Sequence, residues 1–143
     1  MVVEIIFNIV IYLMKLFFKL LFLTALLGVT VLALLPIDML TSPVFNWWDK
    51  AQHALAFAAL GVLGFAAYPS RPGRVVSGLV LYGVAIELAQ LAVGWRFGEW
   101  EDVVADTAGL ALVWLLRLLW RWWRPRPLAV TVEVEVEGRS SRL

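Results

Sequence analysis

The sequence predicts an all-α integral membrane protein, a bundle of four transmembrane helices with both termini on the cytoplasmic side. Three observations predict it. Of the 143 residues, 62% are hydrophobic and only 16% are charged, against roughly 45–50% and about 25% in soluble domains, and so short a chain cannot hide that surplus in a core. Four stretches reach the roughly 20 apolar residues needed to cross about 30 Å of hydrocarbon. The positive residues flanking those stretches fall almost entirely on one side once the chain is threaded through the membrane four times.

The first apolar stretch runs from Ile5 to Pro36, too long for one perpendicular helix. Glu4, Asn8, Tyr12, Lys15 and Lys19 follow steps of three and four, and so form one polar stripe on an otherwise apolar helix. Two lysines on that stripe can snorkel to headgroups. Residues 1–16 are therefore expected to be an amphipathic interfacial or juxtamembrane extension of the first helix, and the first span to run from Phe17 to Leu35. Cleavage as a signal peptide is not expected, because the n-region is not basic, the apolar run exceeds an h-region and three further spans follow. The second span is expected from Trp48 to Tyr68, the third from Val75 to Val93 and the fourth from Asp102 to Trp120. Pro69-Ser70-Arg71-Pro72-Gly73-Arg74 is a turn too short to hold a domain, which makes the second and third spans antiparallel neighbours. The four-span unit ends near residue 127. Val130 to Glu137 alternates valine with polar residues at the period of a strand, but one strand cannot stand alone, so residues 128–143 are expected to be a mobile cytoplasmic tail, the alternative being a short strand paired with another subunit or a partner sheet.

Orientation follows from charge. Lys15, Lys19, Arg71, Arg74, Arg117, Arg121, Arg124 and Arg126 share one side, eight against the two residues Lys50 and Arg96 on the other. The expected location is a bacterial cytoplasmic membrane, with Trp47, Trp48, Trp95 and Trp100 at the outer interface and Trp120, Trp122 and Trp123 at the inner one. The net charge of +1 gives no sign of a nucleic-acid partner. The absence of cysteine excludes disulfides, thiolate metal sites and cysteine nucleophiles, and a single histidine limits any imidazole-based metal site.

Most of the charges outside that cytoplasmic set gather at one depth on the outer side. Asp49 and His53 are four apart at the start of the second span, with Lys50 beside Asp49. Glu87 and Gln90 are three apart in the third span, with Glu87 roughly 10 Å below the interface at 1.5 Å per residue. Asp102 and Asp106 are four apart at the start of the fourth, and Arg96 lies in the preceding loop. A charge near the bilayer centre costs about 2.5–3.5 kcal/mol on insertion scales, so Glu87 is expected to point into the bundle. The same groups also suit a purely structural network of ion pairs and hydrogen bonds between helices, which would make the protein a structural or partner-binding membrane module. Phe57, Gly61, Gly64 and Tyr68, with Gly78, Gly83 and Gly109, are expected to allow close helix packing.

Asp49-Lys50-x-x-His53 with Phe57, then Gly83-x-x-x-Glu87-x-x-Gln90, then Arg96, then Asp102-x-x-x-Asp106-x-x-Gly109 resembles, in that order, the signature of the VanZ-like family of small membrane proteins. The resemblance covers Trp47 to Val113, about half the chain. Asp106 stands where the family usually has asparagine, which adds an ionisable group to the cluster, and Val113 stands where it has a second glycine. The resemblance implies an integral membrane protein of the cell envelope, associated in the founding member with teicoplanin resistance, and carries no established reaction.

Two functions are weighed on these residues. One is an outward-facing pocket for an envelope lipid, a lipid-linked precursor or another anionic headgroup, formed by Asp49, Lys50, His53, Glu87, Gln90, Arg96, Asp102 and Asp106. In it Lys50 and Arg96 contact the anion while the carboxylates orient them. The other is a membrane enzyme acting on a lipid-linked phosphate or acyl group, with Glu87, His53 and Asp102 as candidate catalytic groups and Arg96 stabilising charge. It has no evident nucleophile. Asp102, Asp106 and Glu87 offer the hard oxygens a divalent metal prefers, but spacing alone gives no geometry, so neither a metal nor a cofactor is expected. Proton-coupled transport is disfavoured because the inner halves of the spans hold almost no polar residues, unless the protein forms a homo-oligomer.

Overall fold

The computed structural model describes residues 1–36, 49–96 and 98–124. They form four helices, α1 (Val2–Leu34), α2 (Asp49–Ala67), α3 (Pro72–Val93) and α4 (Trp100–Trp123), with no strand among the described residues. All four are long and apolar enough to cross a membrane. The tail from residue 128 and the turn around Asp38 to Pro43 lie outside the described residues.

The helix boundaries have local causes. α1 runs unbroken for 33 residues, about 50 Å at 1.5 Å per residue, well beyond what the hydrocarbon requires. Nearly every side chain before Phe18 is exposed, and packing against the other helices begins at Phe18 and Phe22. The helix stops because Leu35 precedes Pro36, whose ring disfavours the α conformation at the residue before it, and Leu35 is extended at φ −63°, ψ 141°. α3 begins three residues earlier than its apolar run suggests. Pro72 occupies its first turn, where a missing N–H costs nothing, so a residue that reads as turn chemistry instead opens the helix. Gly94 ends α3 at φ +77°, a left-handed conformation that glycine adopts without steric cost.

The helices alternate in direction. One end of the bundle joins the C-termini of α1 and α3 to the N-termini of α2 and α4, as the hydrogen bond from Gln90 to the Ala33 carbonyl and the ion pair of Lys50 with Asp102 show. At the other end Lys19 lies over the Tyr68 ring, and Arg117 covers the Phe65 ring and donates to the Pro69 carbonyl. Lys19, Arg71, Arg74, Arg117 and Arg121 thus belong to one end and the acidic cluster to the other.

Helix α2 is central and packs on all three neighbours, most extensively on α4. The core joins Phe22, Phe57, Leu60, Phe65, Leu79 and Leu110. Small residues set the spacing. A methyl group on Gly109 would overlap the Ala54 carbonyl, so α2 and α4 approach as backbones, whereas Gly78 faces open space and sets no contact. Leu110 packs directly against Gly61, with Val113 beside it in ordinary contact. Thr30 and Tyr82 meet at 2.8 Å, and the Tyr82 hydroxyl donates to the Leu26 carbonyl, so the polar atoms midway along α1 and α3 satisfy one another. The outward faces carry exposed leucines such as Leu55, Leu81, Leu88 and Leu112, an apolar surface far beyond what a soluble monomer leaves bare.

Candidate functional site

The polar end is built from three helices and one loop. The first turns of α2 contribute Lys50 and His53, the last two turns of α3 contribute Glu87 and Gln90, and the first two turns of α4 contribute Asp102 and Asp106. The loop between α3 and α4 adds Trp95, Arg96 and Glu99. Helical spacing explains the convergence. Each pair is three or four residues apart and so shares a face, and each face looks inward: Glu87, Gln90, Asp102 and Asp106 are all more than nine-tenths buried.

His53 sits at the centre of the cluster. Its Nδ1 is 3.1 Å from Asp106 Oδ1 and its Nε2 is 3.7 Å from Asp102 Oδ2. Lys50 lies at the rim, half exposed, with its Nζ 3.2 Å from Glu99 Oε2 and 3.7 Å from Asp102 Oδ1. Glu87 accepts the Glu99 backbone N–H on Oε2 at 2.8 Å, which ties the loop back onto α3. The loop lies close there, for a side chain on Gly98 would come within 2.5 Å of the Glu87 carbonyl oxygen. Asp106 Oδ2 faces Gly83, where a methyl group would stand 2.9 Å away.

Four carboxylates, Glu87, Glu99, Asp102 and Asp106, therefore share one lysine and one imidazole. Glu87 Oε1, Gln90 Oε1 and Asp106 Oδ2 are buried with no hydrogen-bond partner among the described residues. Buried acceptors left unmet cost about 1–3 kcal/mol each, so this end of the bundle is built at the expense of stability. One donor atom each from His53, Glu87 and Asp102 lies within 4.8 Å of the others.

Arg96 does something the sequence does not suggest. Its Nε donates to the Leu35 carbonyl at 3.1 Å and its Nη2 to the Leu32 carbonyl at 3.2 Å. Gln90 Nε2 donates to Ala33 and Trp95 Nε1 to Leu34, both at 3.1 Å. Four consecutive carbonyl oxygens at the end of α1, which the helix itself cannot satisfy, are thus met by three side chains of α3 and its following loop. The guanidinium also lies at the negative end of the helix dipole. Arg96 is accordingly spent on α1 and is not directed at the carboxylates.

The structure thus brings together Lys50, His53, Glu87, Asp102 and Asp106, and places Gln90 and Arg96 beside them as anchors of α1. Asp49 opens α2, and its side chain lies outside what is described. Glu99 is the participant the sequence did not single out; its one signal is a carboxylate immediately ahead of the fourth span, within helical reach of Asp102. A separate cavity of about 380 Å³ lies elsewhere, between α1 and α3 toward the basic end, lined by residues including Phe22, Arg71, Arg74, Gly78 and Tyr82. It does not include the acidic cluster.

No curated protein and no solved structure matches the chain. The sequence model of the VanZ/LLP1 family does, over residues 2–123, so the match takes in all four helices and extends well past the motif-bearing segment on both sides. With that coverage and the signature residues gathered at one end of a four-helix bundle, the chain belongs to the VanZ/LLP1 family.

Proposed function

We propose that the protein is a multi-pass protein of the bacterial cytoplasmic membrane, with both termini cytoplasmic, whose polar end faces outward and binds the headgroup of a lipid-linked envelope molecule. One observation carries this reading: ionisable side chains from three helices converge at one end of the bundle, buried, with acceptor oxygens of Glu87, Gln90 and Asp106 unmet. A structural network gains nothing from leaving acceptors unmet, whereas a headgroup bearing hydroxyl or amine donors would satisfy them. Lys50, half exposed at the rim, is the cation available to a phosphate on the same headgroup. Arg96 supports the site from behind by fixing the end of α1. The outward orientation is favoured by the basic residues at the opposite end. Outward is also the side on which wall precursors and glycopeptides meet, which fits the association of the family's founding member with teicoplanin resistance.

A second reading, catalysis on a lipid-linked phosphate or acyl group, is favoured by the contact of His53 Nδ1 with Asp106 Oδ1, because a carboxylate-held imidazole is the arrangement of a general base. Lipids extracted from gently purified wild type and Glu87→Gln protein test the first reading. A defined headgroup class enriched only in wild type supports it, and identical bulk lipid profiles contradict it. Conversion of that lipid on incubation, lost in His53→Gln, would favour the second.

A further inference from the structure

We propose that His53, Glu87 and Asp102 form a binding site for a divalent transition-metal cation, with Asp106 as the group that orients the histidine. The inference stands on the chain's own geometry and does not depend on the headgroup reading.

The donor atoms come from three different helices, α2, α3 and α4, and lie within 4.8 Å of one another. His53 Nε2 and Asp102 Oδ2 are 3.7 Å apart; with bonds of about 2.0–2.2 Å to a shared ion, that separation corresponds to an angle near ~120° at the metal. Glu87, 6% exposed, keeps Oε1 without a hydrogen-bond partner among the described residues while Oε2 is held by the Glu99 N–H. One carboxylate oxygen is thus anchored and the other is left with its lone pairs unused. Asp106 completes the arrangement. His53 Nδ1 is 3.1 Å from Asp106 Oδ1; in the metal-bound state this carboxylate would hold the proton on Nδ1 and leave the Nε2 lone pair, on the side of Asp102, for the ion, the carboxylate–histidine relay that commonly orients a metal-bound imidazole.

Charge points the same way. Glu87, Asp102 and Asp106 are each more than nine-tenths buried, against one imidazole and a lysine at the rim, and unbalanced carboxylates in a low-dielectric bundle are costly. A divalent cation balances them, and Lys50 retains Glu99 at 3.2 Å when Asp102 turns to the metal. An imidazole beside two carboxylates selects the zinc or manganese class over magnesium and calcium, which favour all-oxygen shells. Three protein ligands also leave positions for water or an incoming anion.

The test uses the full chain in detergent, stripped with chelator and dialysed against ZnCl2 or MnCl2 alone, with elemental analysis after gel filtration. Wild type is expected to retain about one ion per chain. Glu87→Gln and His53→Gln are expected to lose tenfold or more in affinity and Asp106→Asn to weaken it about tenfold, whereas Lys19→Met, at the opposite end of the bundle, is expected to bind as wild type does. Zinc is also expected to raise the melting temperature of wild type, a readout that needs no variant to fold. Failure of wild type to bind either metal or to gain stability from zinc would overturn the proposal. Equal binding by Glu87→Gln and His53→Gln would also overturn it, by locating the ion elsewhere. Lipid retention measured on the stripped protein tests the headgroup reading separately.

Discussion

Replacing Arg96 with methionine separates the role the sequence suggests from the one the structure shows. Methionine keeps much of the length of the apolar stem and removes every donor, so the Leu35 and Leu32 carbonyls at the end of α1 lose their partners. A hydrogen bond from a charged donor contributes about 1.5–3 kcal/mol when shielded; the Leu35 contact is partly buried and the Leu32 contact exposed, which places the pair together at about 2 kcal/mol. For a chain of this size that is a fall of about 4–8 °C in melting temperature, measurable by thermal unfolding in detergent. Arg96→Lys should recover only part of it, because one ammonium cannot span two carbonyls in the planar fork. Ligand retention should survive in Arg96→Met at temperatures where the protein is folded. An unchanged melting temperature together with complete loss of a bound anionic lipid would refute the reasoning, and would restore Arg96 as the anion contact.

Gly109→Val should separate α2 from α4, since any Cβ there meets the Ala54 carbonyl; a loss of about 3 kcal/mol or failure to accumulate is expected, while Gly78→Ala, facing open space, should stay within about 1 kcal/mol of wild type. Because the chain has no cysteine, single substitutions report sidedness without background. Trp100→Cys should react with an impermeant maleimide on intact cells and Trp122→Cys only after permeabilisation; the reverse pattern would invert the proposed orientation.

Much of the architecture was legible because membrane physics writes it into composition. Four apolar runs gave the four helices, and the three-and-four spacing of Asp102 with Asp106 and of Glu87 with Gln90 marked the faces that meet at the polar end. Boundaries were less legible where one residue has two uses: Pro72 reads as a turn and opens a helix. The partnership of Arg96 was hidden for a different reason. Its acceptors are backbone carbonyls, which every residue carries and no sequence pattern flags, so charge alone directed attention to the nearby carboxylates. Glu99 escaped notice because one of its contacts, the N–H that holds Glu87, is backbone, and the other, its carboxylate on Lys50, reaches across to α2 with no sequence spacing to mark it. The spacing of the carboxylates suggested Asp102, Asp106 and Glu87 as a set, but only the packing of α2 against α4 reveals that His53 stands between the two aspartates.

The central claim is that the buried polar end binds a ligand and is more than an internal clasp between helices. Native mass spectrometry of protein released gently from its own membrane addresses it directly, comparing wild type with a Lys50→Ala, Glu87→Gln double variant and with Arg96→Met. The account predicts a discrete adduct of one lipid class on wild type and Arg96→Met that is absent from the double variant. The same distribution of bulk lipids on all three proteins, with differences confined to melting temperature, would contradict it.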